Sequence, residues 1–230
     1  MNGGPQTAGA EASWGQLRRA DHLDPAEVPE VLTLARAAAD ADGAAALSEA
    51  TLLQLRAATG ASLVHFSARE PGGRLVGYAQ LDPGNGTVEA TIEAVVHPLH
   101  RRRGIGRALL AAATDAAAGR PIRAWAHGEH PSAAALALDL GFDRARVLWQ
   151  LRRPLRPPLP DVALPDGVSL RPFRPGADDA AWVELNRRAF ADHPEQGRWT
   201  LDDLRVRMAE PWFDPAGFLL AVEAGSDRLL

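Results

Sequence analysis

The stretch from Glu93 to Leu110 constrains this 230-residue chain most. An apolar, β-branched run, Glu93-Ala94-Val95-Val96, ends at His97-Pro98. Leu99-His100 and three arginines, Arg101 to Arg103, come next. Gly104-Ile105-Gly106 follows, and then Arg107-Ala108-Leu109-Leu110 opens a segment with helical periodicity. This is a strand, a sharp basic turn and a helix whose first turn carries the glycines. The first backbone N–H groups of a helix have no partner inside it, and the aligned peptide dipoles place about half a positive charge there. Gly104 and Gly106 have no Cβ and let a ligand approach the backbone, while Arg101 to Arg103 and Arg107 add charge at the rim. Such a turn suits a diphosphate, each charge-assisted hydrogen bond contributing roughly 1.5–3 kcal/mol. A solvated basic turn on an ordinary strand–helix connection is the plain alternative.

Nucleotide-binding glycine loops fit less well. Gly104-Ile105-Gly106 lacks the third glycine of G-x-G-x-x-G, since Leu109 stands there, and no Gly-Lys-Ser/Thr follows as in a P-loop. Arg101-x-x-Gly104-x-Gly106 after Val95-Val96-His97-Pro98 resembles instead the acyl-CoA pyrophosphate loop of the GNAT N-acetyltransferases.

Composition narrows the function classes. A hydrophobic content of 46% and a charged content of 23% are ordinary for a soluble globular protein, and no apolar run is long enough to span a bilayer. Met1 to Ala12 lacks the basic and apolar regions of a secretory signal, so a cytoplasmic location is expected, with no membrane partner. The net charge of -4 argues against a general nucleic-acid binder. Without cysteine or lysine there is no thiol nucleophile, disulfide framework or lysine Schiff base; the arginine-only, alanine-rich usage reads as a GC-rich genome.

In chain order, Trp14 to Arg19 reads as a strand. Asp24-Pro25-x-Glu27 starts a helix that stops before Asp42-Gly43, and Ser48 caps a second one reaching to Gly60. Leu63 to Ala68 and Arg74 to Leu81 flank the hairpin signal Glu70-Pro71-Gly72-Gly73, and a third strand runs from Thr87 to Val96. After the helix Gly104 to Ala118 come a strand at Pro121 to His127, a helix at Ser132 to Leu140 and a last strand from Gly141-Phe142 to Arg152. The expected class is α/β (α+β): a mixed, mostly antiparallel sheet flanked by helices. This is the GNAT order of elements, and Leu140-Gly141-Phe142 resembles the Leu-Gly-Phe that ends that family's final helix.

Pro154 to Pro165 holds five prolines and no periodicity, as a semi-rigid linker would. The pattern then restarts, with strands at Val168 to Phe173 and Gly217 to Glu223 around helices at Ala177 to Phe190 and Thr200 to Met208. The expected organisation is a disordered N-terminus over 1–13, a GNAT domain that binds acetyl-CoA over 14–153, a linker over 154–166 and an incomplete second GNAT repeat over 167–230.

A tandem arrangement narrows the family. Ala189-Phe190-Ala191-Asp192-His193-Pro194-Glu195-Gln196-Gly197-Arg198-Trp199-Thr200 and Glu210-Pro211-Trp212-Phe213-Asp214-Pro215, with Trp125-Ala126-His127-Gly128, resemble the mycothiol synthases of actinobacteria over nearly the whole chain from Trp14. That family acetylates the cysteine amine of a cysteinyl-glucosaminyl-inositol with acetyl-CoA. The resemblance implies acetyl-CoA along Ala94, Val95 and Val96 and over Arg102, Arg103, Gly104, Ile105, Gly106 and Arg107, and no metal. It implies an amine acceptor held between the domains partly by carboxylates, matched by Glu49 and Glu195. In plain terms Glu49 favours a helix dipole and Glu195 caps the helix near Thr200.

Amine acetylation needs a base, an oxyanion donor and an acid for the departing thiolate. Glu89 and Glu93 lie on one face of the strand before the basic turn and are candidate bases, or merely solvated strand residues. The family's Asn-x-x-Ala-x-x-x-Tyr-x-x-Leu-Gly-Phe falls on His130 to Phe142, with Ala137 at the tyrosine position; Tyr78, the only tyrosine, is on another strand. His97, His100, His127 and His130 flank turns without an acidic third ligand at fixed spacing, which argues against a metal. The catalytic residues are therefore unassigned. The family's second domain is catalytic, and the sequence is expected to be a fragment lacking half of it, a monomer when complete. The competing functions are another GNAT amine acetyltransferase and a non-catalytic acyl-CoA-binding module.

Overall fold

Strand β4 (Ala90–Val96) organises the first of two compact units, Met1–Val147 and Leu148–Leu230. The structure is a computed structural model that describes residues 14–57, 63–84, 89–128, 130–154, 156, 159, 161–191 and 199–230. Alternation along β4 sends Ala90 and Ile92 to one face of a sheet and Glu93 and Val95 towards the other.

The sheet is ordered β1 (Gln16–Ala20), β2 (Val64–Arg69), β3 (Leu75–Asp82), β4, β5 (Ile122–Trp125). The first three pairings are antiparallel; β4 and β5 are parallel and joined through helix α3 (Ile105–Ala116). A parallel crossover of this kind lays its helix back on the sheet. Ile105, Leu109 and Ala113 of α3 pack on Phe66, Ala79, Leu81 and Ile92. The helix lies so close that a Cβ on Gly77 would come within 2.6 Å of Ile105 Cγ2, so β3 needs a glycine there.

Helix α1 (Val28–Asp42) covers the opposite face with Val31, Leu34, Ala35 and Ala38 on Leu75, Tyr78 and Val95. Gly43 ends α1 in the left-handed region at φ 68°, its N–H donating to Ala39 O. In the loop that follows, Ser48 Oγ accepts the N–H of Thr51 and caps α2 (Glu49–Ala57). Helix α4 (Pro131–Asp139) closes with a Schellman motif. The N–H of Gly141 donates to Leu138 O at 3.1 Å and that of Phe142 to Ala137 O at 2.9 Å, with Gly141 at φ 80°. That motif is the physical content of Leu140-Gly141-Phe142.

The strand expected from Gly141-Phe142 to Arg152 does not form. Those residues pair with no strand among the described residues, and Val147, Leu148, Trp149 and Leu151 are exposed. Alternation supplies β propensity, but a strand also needs a ladder partner and a covered face.

In the second unit β6 (Val168–Pro172) and β7 (Leu219–Glu223) pair antiparallel, with α5 (Asp179–Ala189) and α6 (Leu201–Met208) between them in the chain. Phe173, Leu204, Leu220 and Val222 form the core, and Phe173 stacks on Phe218 with centroids 4.8 Å apart. Arg171 grips Asp178 bidentately at 2.6 and 2.8 Å. Thr200 and Asp203 form a reciprocal capping box at the start of α6. No described helix is long and apolar enough to cross a membrane.

Candidate functional site

The basic turn sits where β4 and β5 part. Their pairing ends with Glu93 opposite Trp125. Ala90 N–H donates towards β5, to Pro121 O at 2.9 Å, and His97 N–H donates towards β3, to Val76 O at 2.9 Å. Alternation between these two fixed points turns the backbone of Ala94 and Val96 towards the side that β5 has left, and that of Val95 towards β3, opposite Tyr78. The Ala94 carbonyl and the Val96 N–H thus form a short outer edge without a strand partner among the described residues. The Val95 side chain is buried under α1. The strand edge and the Val95 side chain accordingly have different duties.

After His97 the chain makes one 3₁₀ turn, Pro98–His100, and swings through Arg101 to Gly104 into α3. Arg102 and Gly104 adopt left-handed φ values of 63° and 84°. A non-glycine residue in that region costs about 1–2 kcal/mol, so the turn is held against a local preference. No side chain caps α3, and its first internal hydrogen bond runs from Ala108 N–H to Gly104 O at 3.0 Å. The N–H groups ahead of Ala108 therefore have no partner within the helix, and they point out of a positive dipole end.

The glycines differ in reason. A Cβ on Gly104 would meet nothing within 4 Å, so there the backbone conformation demands glycine. A Cβ on Gly106 would lie 3.2 Å from Leu136 Cδ2, so Gly106 lets α4 approach the first turn of α3. The arginines differ as well. Arg102 and Arg103 are exposed and have no ion-pair partner among the described residues. Arg107 pairs with Asp139 of α4, and Arg101 turns inward to Asp42.

The carboxylates of the first unit also separate. Glu89 forms an exposed pair with Arg123 at 2.8 Å. Glu93 is buried; its Oε2 accepts the N–H of Ser48 at 2.7 Å and lies 3.5 Å from His127 Nε2, outside good hydrogen-bond geometry. Burial pushes its carboxyl upward, but the neighbouring His127 and the Ser48 hydroxyl and N–H outweigh that and leave it below its ordinary range. A carboxylate so satisfied ties β4 to the start of α2. Glu49 stands next to Ser48, exposed in the first turn of α2. Glu195 lies outside the described residues.

Beside Glu93 runs a buried polar chain that the sequence reading missed. His65 Nδ1 and Tyr78 Oη lie 2.7 Å apart, Tyr78 Oη donates to Gln80 Oε1 at 3.2 Å, and Gln80 Nε2 donates to Gln54 Oε1 at 2.6 Å. Since one hydroxyl carries one proton, Tyr78 giving it to Gln80 makes His65 Nδ1 the donor to Tyr78. The available signal was polar residues at alternate positions of three neighbouring strands. Tyr78 is fully buried, so its hydroxyl serves this chain. Ala137 on α4 carries no proton donor in its side chain.

Two of the turn histidines act as local caps: His97 Nδ1 accepts Leu99 N–H, and His130 Nδ1 accepts Ser132 N–H. Among the described residues no group of three or more His, Asp or Glu could hold a metal ion.

The acetyltransferase (GNAT) family matches residues 30–142. The tandem GNAT protein from the clavulanic acid biosynthesis pathway is 26% identical, with a TM-score of 0.61 over 93% of this chain and 72% of that one. A GCN5-related N-acetyltransferase from Sphaerobacter thermophilus, 24% identical, shares the fold with a TM-score of 0.57 over 93% of this chain and 69% of that one. Mycothiol acetyltransferase of Salinispora arenicola is 60% identical over 213 residues, 93% of this chain and 69% of that protein. Its counterpart in Salinispora tropica is 58% identical over 214 residues, again 93% and 69%. The basic turn, the parted strands and this identity converge, and the chain belongs to the mycothiol acetyltransferase family of GNAT proteins.

Proposed function

We propose that the chain is an acetyl-CoA-dependent N-acetyltransferase of mycothiol biosynthesis, acting on the cysteine amine of a cysteinyl-glucosaminyl-inositol. The observation that carries this reading is the basic turn beside a strand edge without a partner, in a chain 60% identical to a mycothiol acetyltransferase. The N–H groups at the start of α3 and the exposed Arg102 and Arg103 take the pyrophosphate. The Ala94 carbonyl and Val96 N–H take the amide groups of the pantetheine arm, as an added strand would. The acceptor ammonium gives up one proton to the bulk, the freed lone pair attacks the thioester carbonyl, the C–S bond breaks, and the nitrogen's second proton goes to the departing sulfur, so that CoA leaves as the thiol. Glu49 and Glu195 are the acceptor-binding carboxylates of this reading, matched to an ammonium and a polyol.

The test is mass spectrometry of a mixture of purified protein, acetyl-CoA and the cysteinyl pseudo-disaccharide. The expected product carries one acetyl group on nitrogen, and the same acceptor with its amine blocked gives none. Equal acetylation of unrelated amines would overturn the acceptor assignment.

One observation favours a second reading, that of an acyl-CoA-binding module without turnover. In the first unit Ala137 stands where a thiolate acid is expected, and Tyr78 is buried in its own polar chain. That reading gives acetyl-CoA affinity in calorimetry with no acetylated product.

A further inference from the structure

Arg101 behaves unlike the arginines beside it. Its NH1 and NH2 donate to Oδ1 and Oδ2 of Asp42 at 2.7 and 2.8 Å, and its Nε donates to Val96 O at 3.2 Å. NH1 also lies 3.4 Å from Nε2 of His130. Asp42 is the last residue of α1, Val96 the last of β4, and His130 the residue that caps α4. A guanidinium is planar and rigid, so its donors reach these partners only in one pose. The Nε bond occupies the outer carbonyl of Val96, which fixes where the unpaired strand edge stops. Charge placement points the same way. A carboxylate at the C-terminal end of a helix opposes the helix dipole, so Asp42 gains from Arg101 what α1 does not give it. Its carboxyl is held below the usual range, first by the Arg101 hydrogen bond, against a smaller burial effect.

We propose that Arg101 is a positioning residue: with Asp42 it clamps the 101–107 turn to α1 and β4, setting the separation between the pyrophosphate cradle and the strand edge. This rests on the reading of that turn as the acetyl-CoA site. The clamp keeps two halves of one ligand in register, so its loss acts on ligands that span both halves. Acetyl-pantetheine, which has the arm but no pyrophosphate, touches only the strand edge.

The experiment is calorimetry of acetyl-CoA and of acetyl-pantetheine with the wild-type chain, Asp42→Ala and Arg101→Lys, each checked for a native circular dichroism spectrum. Wild type is expected to prefer acetyl-CoA. Each variant is expected to lose roughly tenfold in acetyl-CoA affinity, about 1.4 kcal/mol, while acetyl-pantetheine changes by less than about twofold, so the preference collapses. A rim-charge role makes the opposite prediction, because deleting the negative Asp42 raises the local positive potential and strengthens acetyl-CoA binding, and lysine at 101 keeps it. Either result overturns the clamp. Parallel weakening of both ligands overturns it too, since that marks general loosening. If one variant does not fold, the other decides alone, because each breaks the bidentate pair. No acetyl-CoA binding by wild type would remove the underlying site reading, a result distinct from unequal variants.

Discussion

The two faces of the five-stranded sheet are cut from the same strands and carry opposite chemistry. Under α3, Phe66, Ala79, Leu81 and Ile92 meet Ile105 and Leu109 in an apolar cluster. Under α1 and α2, His65, Gln80 and Glu93 are cross-strand neighbours, with Tyr78 beside them, all buried. The apolar face gains by removal of surface from water and by tight packing, and it is indifferent to proton concentration. The polar face holds only while each group keeps its partner, since an unsatisfied buried donor or acceptor costs about 1–3 kcal/mol. The first face fixes the helix that presents its N-terminus to the turn. The second fixes the start of α2, where Glu49 stands, to the end of the β4–β5 pairing.

The largest break in this comparison is expected from Leu109→Ala. Leu109 is fully buried, and Gly77 was kept free of a Cβ to admit it and Ile105. Truncating such a leucine typically costs 2–5 kcal/mol, through lost transfer free energy and a residual cavity. Native-state hydrogen exchange of the β3 amides measures it. A loss below about 1 kcal/mol would mean that α3 does not hold the sheet.

Tyr78→Phe tests the other face with a smaller expected loss. The ring and its packing on Val31, Leu34 and Val95 stay, and only the hydroxyl joining His65 to Gln80 goes. The expected cost is about 1–3 kcal/mol by the same exchange measurement, from two buried partners left without a bond. A neutral result would mean that His65 and Gln80 find each other, or water, without the phenol.

What could be read from sequence follows the same division. The strand, turn and helix from Glu93 to Leu110 announce themselves because β-branched residues, a proline, arginines and two glycines come in an order that local physics decides. Leu140-Gly141-Phe142 was legible because a Schellman motif is built from adjacent residues. The polar chain was not, because Gln54, His65, Tyr78 and Gln80 meet only once α2, β2 and β3 are stacked. The division among the arginines was equally hidden: Arg101 looks like its neighbours until Asp42, 59 residues away, arrives beside it. The strand expected up to Arg152 failed for the converse reason, since a local pattern had no ladder to join.

Proton concentration separates the two faces with the smallest perturbation. Burial, and then His22, pull His65 below its ordinary value of 6.5, with Glu27 opposing. Glu93 is pushed up by burial but held below its ordinary 4.5 by His127 and Ser48. For both groups the unfolded chain takes up a proton at a pH where the folded chain does not. Their contribution is complete above the unfolded values and lost as pH falls, first through about 6.5 and then through about 4.5. Tyr78 has the opposite sign, because burial and the Glu93 charge raise its phenol far above 10, so its contribution is lost as pH rises past that value. The slope is at most about 1.4 kcal/mol per pH unit for each group. Exchange protection in the first unit is therefore expected to decline on mild acidification, and His65→Gln is expected to flatten the first segment of that decline while leaving the second, which Glu93 causes. An unchanged first segment in His65→Gln would place that proton uptake on a group other than His65.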